Sequence, residues 1–158
     1  CTELLFELNF PFFVQNCEWE VRNAKAEELE MIAEAHAEVA LIESGVNPME
    51  NDRQGFLRRC LKRIEQNRTF VVTAGGRLVF KADIVAETDD VIYLEGIYVA
   101  PEMRGQNIGS KCLAKLSLQL LERAQNICLL SNKDFTCAHR SFEKAGFRNT
   151  DCCQTIFV

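Results

Sequence analysis

The chain predicts an α/β domain in which one mixed sheet carries helices on both of its faces. Three features point there. Apolar residues recur at helical spacing in two early and two late segments, strand-period runs lie between them, and glycine-bearing turns mark the changes of period. With 158 residues, 47% of them hydrophobic, the chain fills one core and is short for two.

The elements follow in order. From Leu4 to Phe13, Phe6, Leu8 and Phe10 alternate with Leu5, Glu7 and Asn9 until Pro11, the pattern of an edge strand or of the tail of a preceding domain. A short strand, WEVRNA, leads into KAEELEMIAEAHAEVALIES, where Leu29, Ile32, Ala33, His36, Val39 and Ala40 share a helical face. His36 therefore reads as a core histidine in preference to a catalytic one. Gly45 and Pro48 end that helix. GFLRRCLKRIEQ then sets Phe56, Leu57, Cys60, Leu61 and Ile64 on one stripe of a second helix, with its Arg and Lys as the solvated face. After Asn67 the period becomes that of strands. TFVVTA and RLVFKADIVAE flank Gly75-Gly76, a pair suited to a tight primed turn, and Thr88-Asp89-Asp90 delivers the chain into VIYLEGIYVA. A helix from Ile108 to about Arg123 places Ile108, Cys112, Leu116 and Leu120 on one side, and ICLLSN follows as an apolar, buried strand. A last helix, from about Thr136 to Lys144, is closed by Gly146, and CCQTIFV ends the chain as a strand. Residues 1–17 form a leading strand or a preceding domain's tail. Residues 18–158 form one domain of order β-α-α-β-β-β-α-β-α-β, without repeats or linkers.

Composition excludes several functions. A net charge of −5, from 18 basic and 23 acidic residues, supplies no electrostatic footprint for nucleic acid or an anionic membrane. Eight cysteines lack framework spacing and several fall on apolar faces, so they read as reduced thiols of a cytoplasmic protein rather than as disulfides. No CxxC pair occurs, and His36 and His139 have no ligand-spaced partner, so no metal is expected. The start at Cys1 points to a trimmed or partial chain. LLFELNFPFFV is too interrupted by Glu7, Asn9 and Pro11 to cross a bilayer.

The informative stretch is VAPEMRGQNIGSKCLAKL, Val99 to Leu116. A strand ends at a proline, Gly105 and Gly109 follow, and a helix begins. Such a helix start presents unpaired N–H groups and a positive dipole end, which suits an anion and most naturally phosphate, with Arg104 adding charge. Neither the Walker nor the GxGxxG pattern fits. In context, Arg104, Gly105, Gln106, Asn107, Ile108 and Gly109 resemble the R/Q-x-x-G-x-G/A loop of GNAT N-acetyltransferases, and YLEGIYVAPEM is similar to the strand and turn that precede it. FTCAHRSFEKAGF resembles that superfamily's N-x-x-A-x-x-x-Y-x-x-x-G-F. The likeness spans about residues 18 to 158 and looks closest to a bacterial group in which this domain follows another.

The resemblance implies a GNAT fold, a mostly antiparallel mixed sheet whose fourth and fifth strands, here VIYLEGIYVA and ICLLSN, splay apart. It implies acetyl-CoA as co-substrate without a metal, an amine as acceptor, and a preceding domain or second copy as a further partner. The pyrophosphate would rest on the amides of Arg104 through Ser110. Pantetheine would run beside the main chain of Ile97, Tyr98 and Val99, with an N–H near Val99 facing the thioester carbonyl. Asn132, Ala138 and Phe142 would flank the thioester.

Acetyl transfer needs a base for the ammonium, and Glu95 is the only acid inside its strand. Among Tyr93, Leu94, Ile97 and Tyr98 it is expected to be partly desolvated, with a raised pKa. The alternative is an ion pair with a neighbour such as Lys81. Three positions depart from the pattern. Asn107 stands for a glycine, either tolerated in left-handed backbone or obstructing the phosphate. Phe135 stands for an asparagine, and Phe142 for a tyrosine that serves as acid. His139 lies on the same helix and reads as a surface histidine. Two functions stay open: an N-acetyltransferase, or a non-catalytic acyl-CoA-binding or regulatory domain.

Overall fold

The computed structural model describes residues 1–10, 16–154 and 156. Its strands are β1 (Thr2–Leu8), β2 (Arg22–Asn23), β3 (Thr69–Ala74), β4 (Arg77–Glu87), β5 (Val91–Val99), β6 (Asn126–Asn132) and β7 (Arg148–Gln154). The helices are α1 (Leu29–Ser44), α2 (Pro48–Asn51), α3 (Arg53–Glu65), α4 (Ile108–Leu120) and α5 (Thr136–Lys144). Among the described residues the strands form one sheet, β2-β3-β4-β5-β6-β1-β7, with only the β5–β6 neighbours parallel.

Strand period decides which helices lie where. On β3, Phe70 and Val72 join the core built with Cys112, Leu113 and Leu116 of α4 and Phe142 of α5. Val71, between them, points the other way to Ile32 and Ala35 of α1 and Ile64 of α3. Helices therefore cover both faces, as expected. Cys60 and Cys112 are core residues, and burial pushes the Cys112 thiol up to about 12. The β3–β4 turn has Gly75 at φ +57° and Gly76 at +74°, the primed geometry that suits the right-handed twist of the flanking strands.

Several expectations need correction. β1 is not an edge: it sits between β6 and β7, with Phe6 opposite Leu129 and Leu8 opposite Ile127. Alternation tells which face of a strand is buried and says nothing of its neighbours. The expected continuation to Phe13 and the stop at Pro11 lie outside the described residues, as do Thr155, Phe157 and Val158 of the closing strand. β6 is not buried throughout; Ile127, Leu129 and Ser131 are buried and alternate with half-buried neighbours. α4 ends at Leu120 rather than near Arg123, and the break after Gly45 holds the short α2, where the Asn47 side chain accepts from the Met49 N–H at 3.0 Å.

A charged cluster lies within β4. Lys81 and Asp83 of β4 are each only 1% exposed. Asp83 Oδ1 accepts from Thr69 Oγ1 at 2.8 Å, and Oδ2 from Lys81 Nζ at 2.5 Å and Arg63 at 3.2 Å. Burial pushes the Asp83 carboxyl up, and Lys81, His36 and Arg63 more than reverse that, holding it well below the usual carboxylate range. A carboxyl depressed in the folded state stabilises it above the unfolded pKa of about 3.9, and that contribution is lost as pH falls toward the folded value. The urea midpoint of the wild type is therefore expected to fall below about pH 4, and Asp83→Asn to flatten that limb. Asp83→Ala, which strands the buried Lys81, should cost about 3–5 kcal/mol in the same titration.

Candidate functional site

β5 pairs with β4 along its length but with β6 only from Val91 to Leu94, opposite Asn126 to Leu129. Beyond Leu94 the two strands part, the expected splay of strands four and five. A bulge lies at the point of parting. Lys81 faces Tyr98 and Asp83 faces Glu95, so Ala82 alone stands opposite Gly96 and Ile97, and Gly96 takes φ +60°. A cleft of about 660 Å³ opens there, lined by Glu95 to Val99, by Leu129 to Ser131 of β6, by the turn before α4 and by α5.

The main chain on the freed edge is available for pairing. Ala100 N donates to Val79 O at 2.9 Å, so the alternating backbone turns the N–H and C=O of Val99 away from β4 and toward the cleft. Arg104 Nε donates to that Val99 carbonyl at 2.9 Å, its NH2 to Glu38 at 3.2 Å, and its guanidinium lies 6.0 Å from the centre of the Tyr98 ring.

Each glycine-region residue has a separate reason for its identity. Gly105 has φ +76°, and a Cβ there would meet nothing within 4 Å, so the requirement is backbone conformation. Gly109 has ordinary backbone, but a Cβ would lie 2.8 Å from Val99 Cγ2; here the requirement is close approach of α4 to β5. Asn107, the N-cap of α4, is left-handed at φ +60°, ψ +15°, and its Oδ1 accepts from Lys144 Nζ at 2.7 Å. The earliest helical amide bond is Lys111 N to Asn107 O, so the amides of Ile108, Gly109 and Ser110 form the unpaired first turn.

Of the expected site residues, Glu95, Ile97, Tyr98, Val99, Arg104, Gly105, Asn107, Ile108, Gly109 and Phe142 line the cleft together. Gln106, Ser110 and Asn132 do not. Gln106 donates to Glu102 O, Ser110 is buried with its hydroxyl on Asn107 O, and the Asn132 side chain accepts from Asp134 N. Glu95 is exposed, not partly desolvated, and Lys81 is not its partner: Lys81 reaches along its own strand to Asp83. Glu95 Oε1 instead accepts from Tyr93 OH at 2.7 Å. Burial and that bond both raise the Tyr93 hydroxyl, keeping it a donor.

The last turns of α1 supply what sequence reasoning missed: Val39, Ile42 and Glu43 also line the cleft. Enclosure, then Glu95 and Glu3, raise the Glu43 carboxyl, although the residue as a whole is exposed. No motif marks these positions. The hints are Glu43, an acid at helical spacing from His36, Val39 and Ala40 on the face read as apolar, and Ile42, an exposed apolar residue beside it. His36 is half-buried against Lys81 and Asp83, and His139, half-buried rather than superficial, places Nε2 3.2 Å from Ser131 Oγ and 3.0 Å from Asn132 O. Among the described residues no group of three His, Cys, Asp or Glu is placed to hold a metal, and no helix is long and apolar enough to cross a membrane.

The profile of a family described as an acetyltransferase (GNAT) domain matches residues 65–149, which include β5, the turn and α5. A GNAT-family acetyltransferase from Colwellia psychrerythraea superposes with a TM-score of 0.73 at 18% identity, covering 94% of this chain and 52% of that one. The chain thus spans about half the length of that relative. A predicted acetyltransferase from Clostridium acetobutylicum, solved with acetyl-CoA, gives 0.64 at 19% identity over 84% of this chain and 92% of that one. A paia N-acetyltransferase from Thermoplasma acidophilum, in complex with coenzyme A, gives 0.64 at 16% over 81% and 88%. None of the curated proteins matches the chain in sequence.

Proposed function

Since this chain belongs to the GNAT acetyltransferase family, we propose that it transfers the acetyl group of acetyl-CoA to a primary amine. The observation that carries this reading is the cleft where β5 parts from β6, with a strand edge on one side and a helix start at its mouth. The residues fit the co-substrate. The first-turn amides of α4 and the open space over Gly105 suit a pyrophosphate, and the freed edge from Ile97 to Val99 suits an extended amide-bearing arm. Bound there, acetyl-CoA supplies an activated thioester. Arg104 would leave the Val99 carbonyl as that arm pairs with it.

Glu95 is the base in this reading. Its carboxylate, held by Tyr93, takes the proton from the acceptor ammonium, and the freed amine attacks the carbonyl carbon. The Val99 N–H, turned into the cleft, stabilises the oxyanion. The carbon–sulfur bond breaks, the thiolate, of pKa about 8.5, leaves without needing a proton from Phe142, and the second proton of the former ammonium passes to that thiolate or to water as the amide forms. Glu43 and Glu95 lie close enough together to interact and favour a cationic acceptor on their side of the cleft, while Arg104, Arg140 and Lys144 line it elsewhere.

Thermal shift with millimolar CoA and thiol release across a panel of amines test the reading. A CoA-dependent rise in melting temperature with amine-dependent release supports it. No rise removes the co-substrate, and a rise without release for any amine leaves a binding domain. Asn107→Gly should change CoA affinity less than about tenfold by calorimetry, or roughly 1.4 kcal/mol, because Asn107 already holds the backbone that glycine would take.

A further inference from the structure

The buried charges on β4 do more than hold the core. The Lys81 ammonium has three donors; Asp83 Oδ2 at 2.5 Å and the Gly96 carbonyl at 3.1 Å accept two of them, and His36 Nδ1 lies 3.2 Å from Nζ and 3.3 Å from Asp83 Oδ2, accepting from Lys81 or donating to Asp83 according to its tautomer. The middle contact is with the β5 bulge itself. A Cβ on Gly96 would lie 2.9 Å from Lys81 Nζ, 3.0 Å from Asp83 Oδ2 and 3.2 Å from His36 Nδ1, so the cluster is packed directly against the bulge. His36 belongs to α1, whose later turns wall the cleft opposite Glu95.

We propose that Lys81, oriented by Asp83 and His36, is a positioning residue that fixes the β5 bulge and thereby the placement of Glu95 and of the Ile97–Val99 edge. A bulge leaves its extra residue unpaired and disrupts the ladder locally, so the pairing that would resist slip is missing there. An ammonium bound to the Gly96 carbonyl opposes that slip, and Asp83 holds the ammonium in place. Through His36 the same cluster sets the distance from α1 to the bulge, and so the width of the cleft. For catalysis this rests on the acetyltransferase reading; the pinning of the bulge does not.

The test uses the double variant Lys81→Met with Asp83→Asn, which removes the donors without leaving a buried carboxylate unpaired. Amide exchange is read on the full chain without ligand. Exchange at Tyr98 and Ala100, past the bulge, should accelerate tenfold or more relative to Ile92 and Leu94 before it, and CoA affinity should weaken at least tenfold in the folded variant. A purely structural role lowers the melting temperature and alters exchange equally along β5, which overturns the proposal. Should the double variant not fold, half-buried His36 gives the same readout: His36→Leu loosens Tyr98 and Ala100, and His36→Gln, whose amide can accept from Lys81 or donate to Asp83, restores them. Equal behaviour of those two overturns it. Wild-type protein that binds no CoA refutes the acetyltransferase reading while the exchange comparison still decides the clamp.

Discussion

Glu95→Gln is expected to lower turnover by about 10²-fold or more, the span of general base catalysis, with little change in CoA affinity. The amide keeps the size of the side chain and an oxygen able to accept from Tyr93 OH, so the geometry at the cleft mouth survives while the proton acceptor is lost. Glu95 is exposed and makes no ion pair with Lys81, so the substitution leaves no buried charge unmatched and the melting temperature should hardly move. Steady-state kinetics at saturating amine, with calorimetry for CoA, check both halves. Unchanged turnover would take Glu95 out of the mechanism and turn attention to Glu43, the other carboxylate on the cleft.

Gly105→Glu should abolish measurable CoA binding. A Cβ at Gly105 would meet no protein atom within 4 Å, so the fold leaves room for a side chain to begin there, but the carboxylate would project where the pyrophosphate is proposed to lie. The left-handed backbone at φ +76° adds a cost of about 1–2 kcal/mol for any L-residue. Gly105→Asn serves as control, since asparagine tolerates that region and carries no charge: it should keep most of the affinity. Gly109→Ala offers the contrast. Its Cβ would collide with Val99 Cγ2, so it should lower stability by displacing α4 from β5. If Gly105→Glu binds CoA as the wild type does, the turn before α4 is not the phosphate site.

The turn before α4 was legible because its requirements are local. Left-handed backbone is a property of single residues, and glycine and asparagine are those that meet it; Gly105 and Asn107 both take it. The Gly75-Gly76 turn and Gly146, at φ +100° after α5, were legible for the same reason. Gly109 was expected as part of the anion loop, whereas the reason the structure gives for a glycine there lies 2.8 Å away in Val99, a partner that no spacing rule supplies. For Glu95 the sequence showed an acid inside an apolar strand. Its bond to Tyr93 is an i, i+2 contact on one face of β5, and its exposure accompanies the departure of β6 after Leu94.

By itself the sequence determined what depends on period and on single-residue conformation: an α/β domain, helices on both faces, the hairpin at residues 75–76 and a glycine-bearing turn before α4. Tertiary structure alone decided what depends on which distant segments meet. It placed β1 between β6 and β7, gave Lys81 to Asp83 rather than Glu95, brought Ile42 and Glu43 to the cleft, and set three donors and acceptors against the Gly96 bulge. The reason is physical. Period and φ are set by neighbours along the chain, whereas a buried charge takes the partner that leaves the fewest groups unsatisfied, and in this chain those partners, His36, Arg63, Thr69 and Gly96, come from α1, α3, β3 and β5.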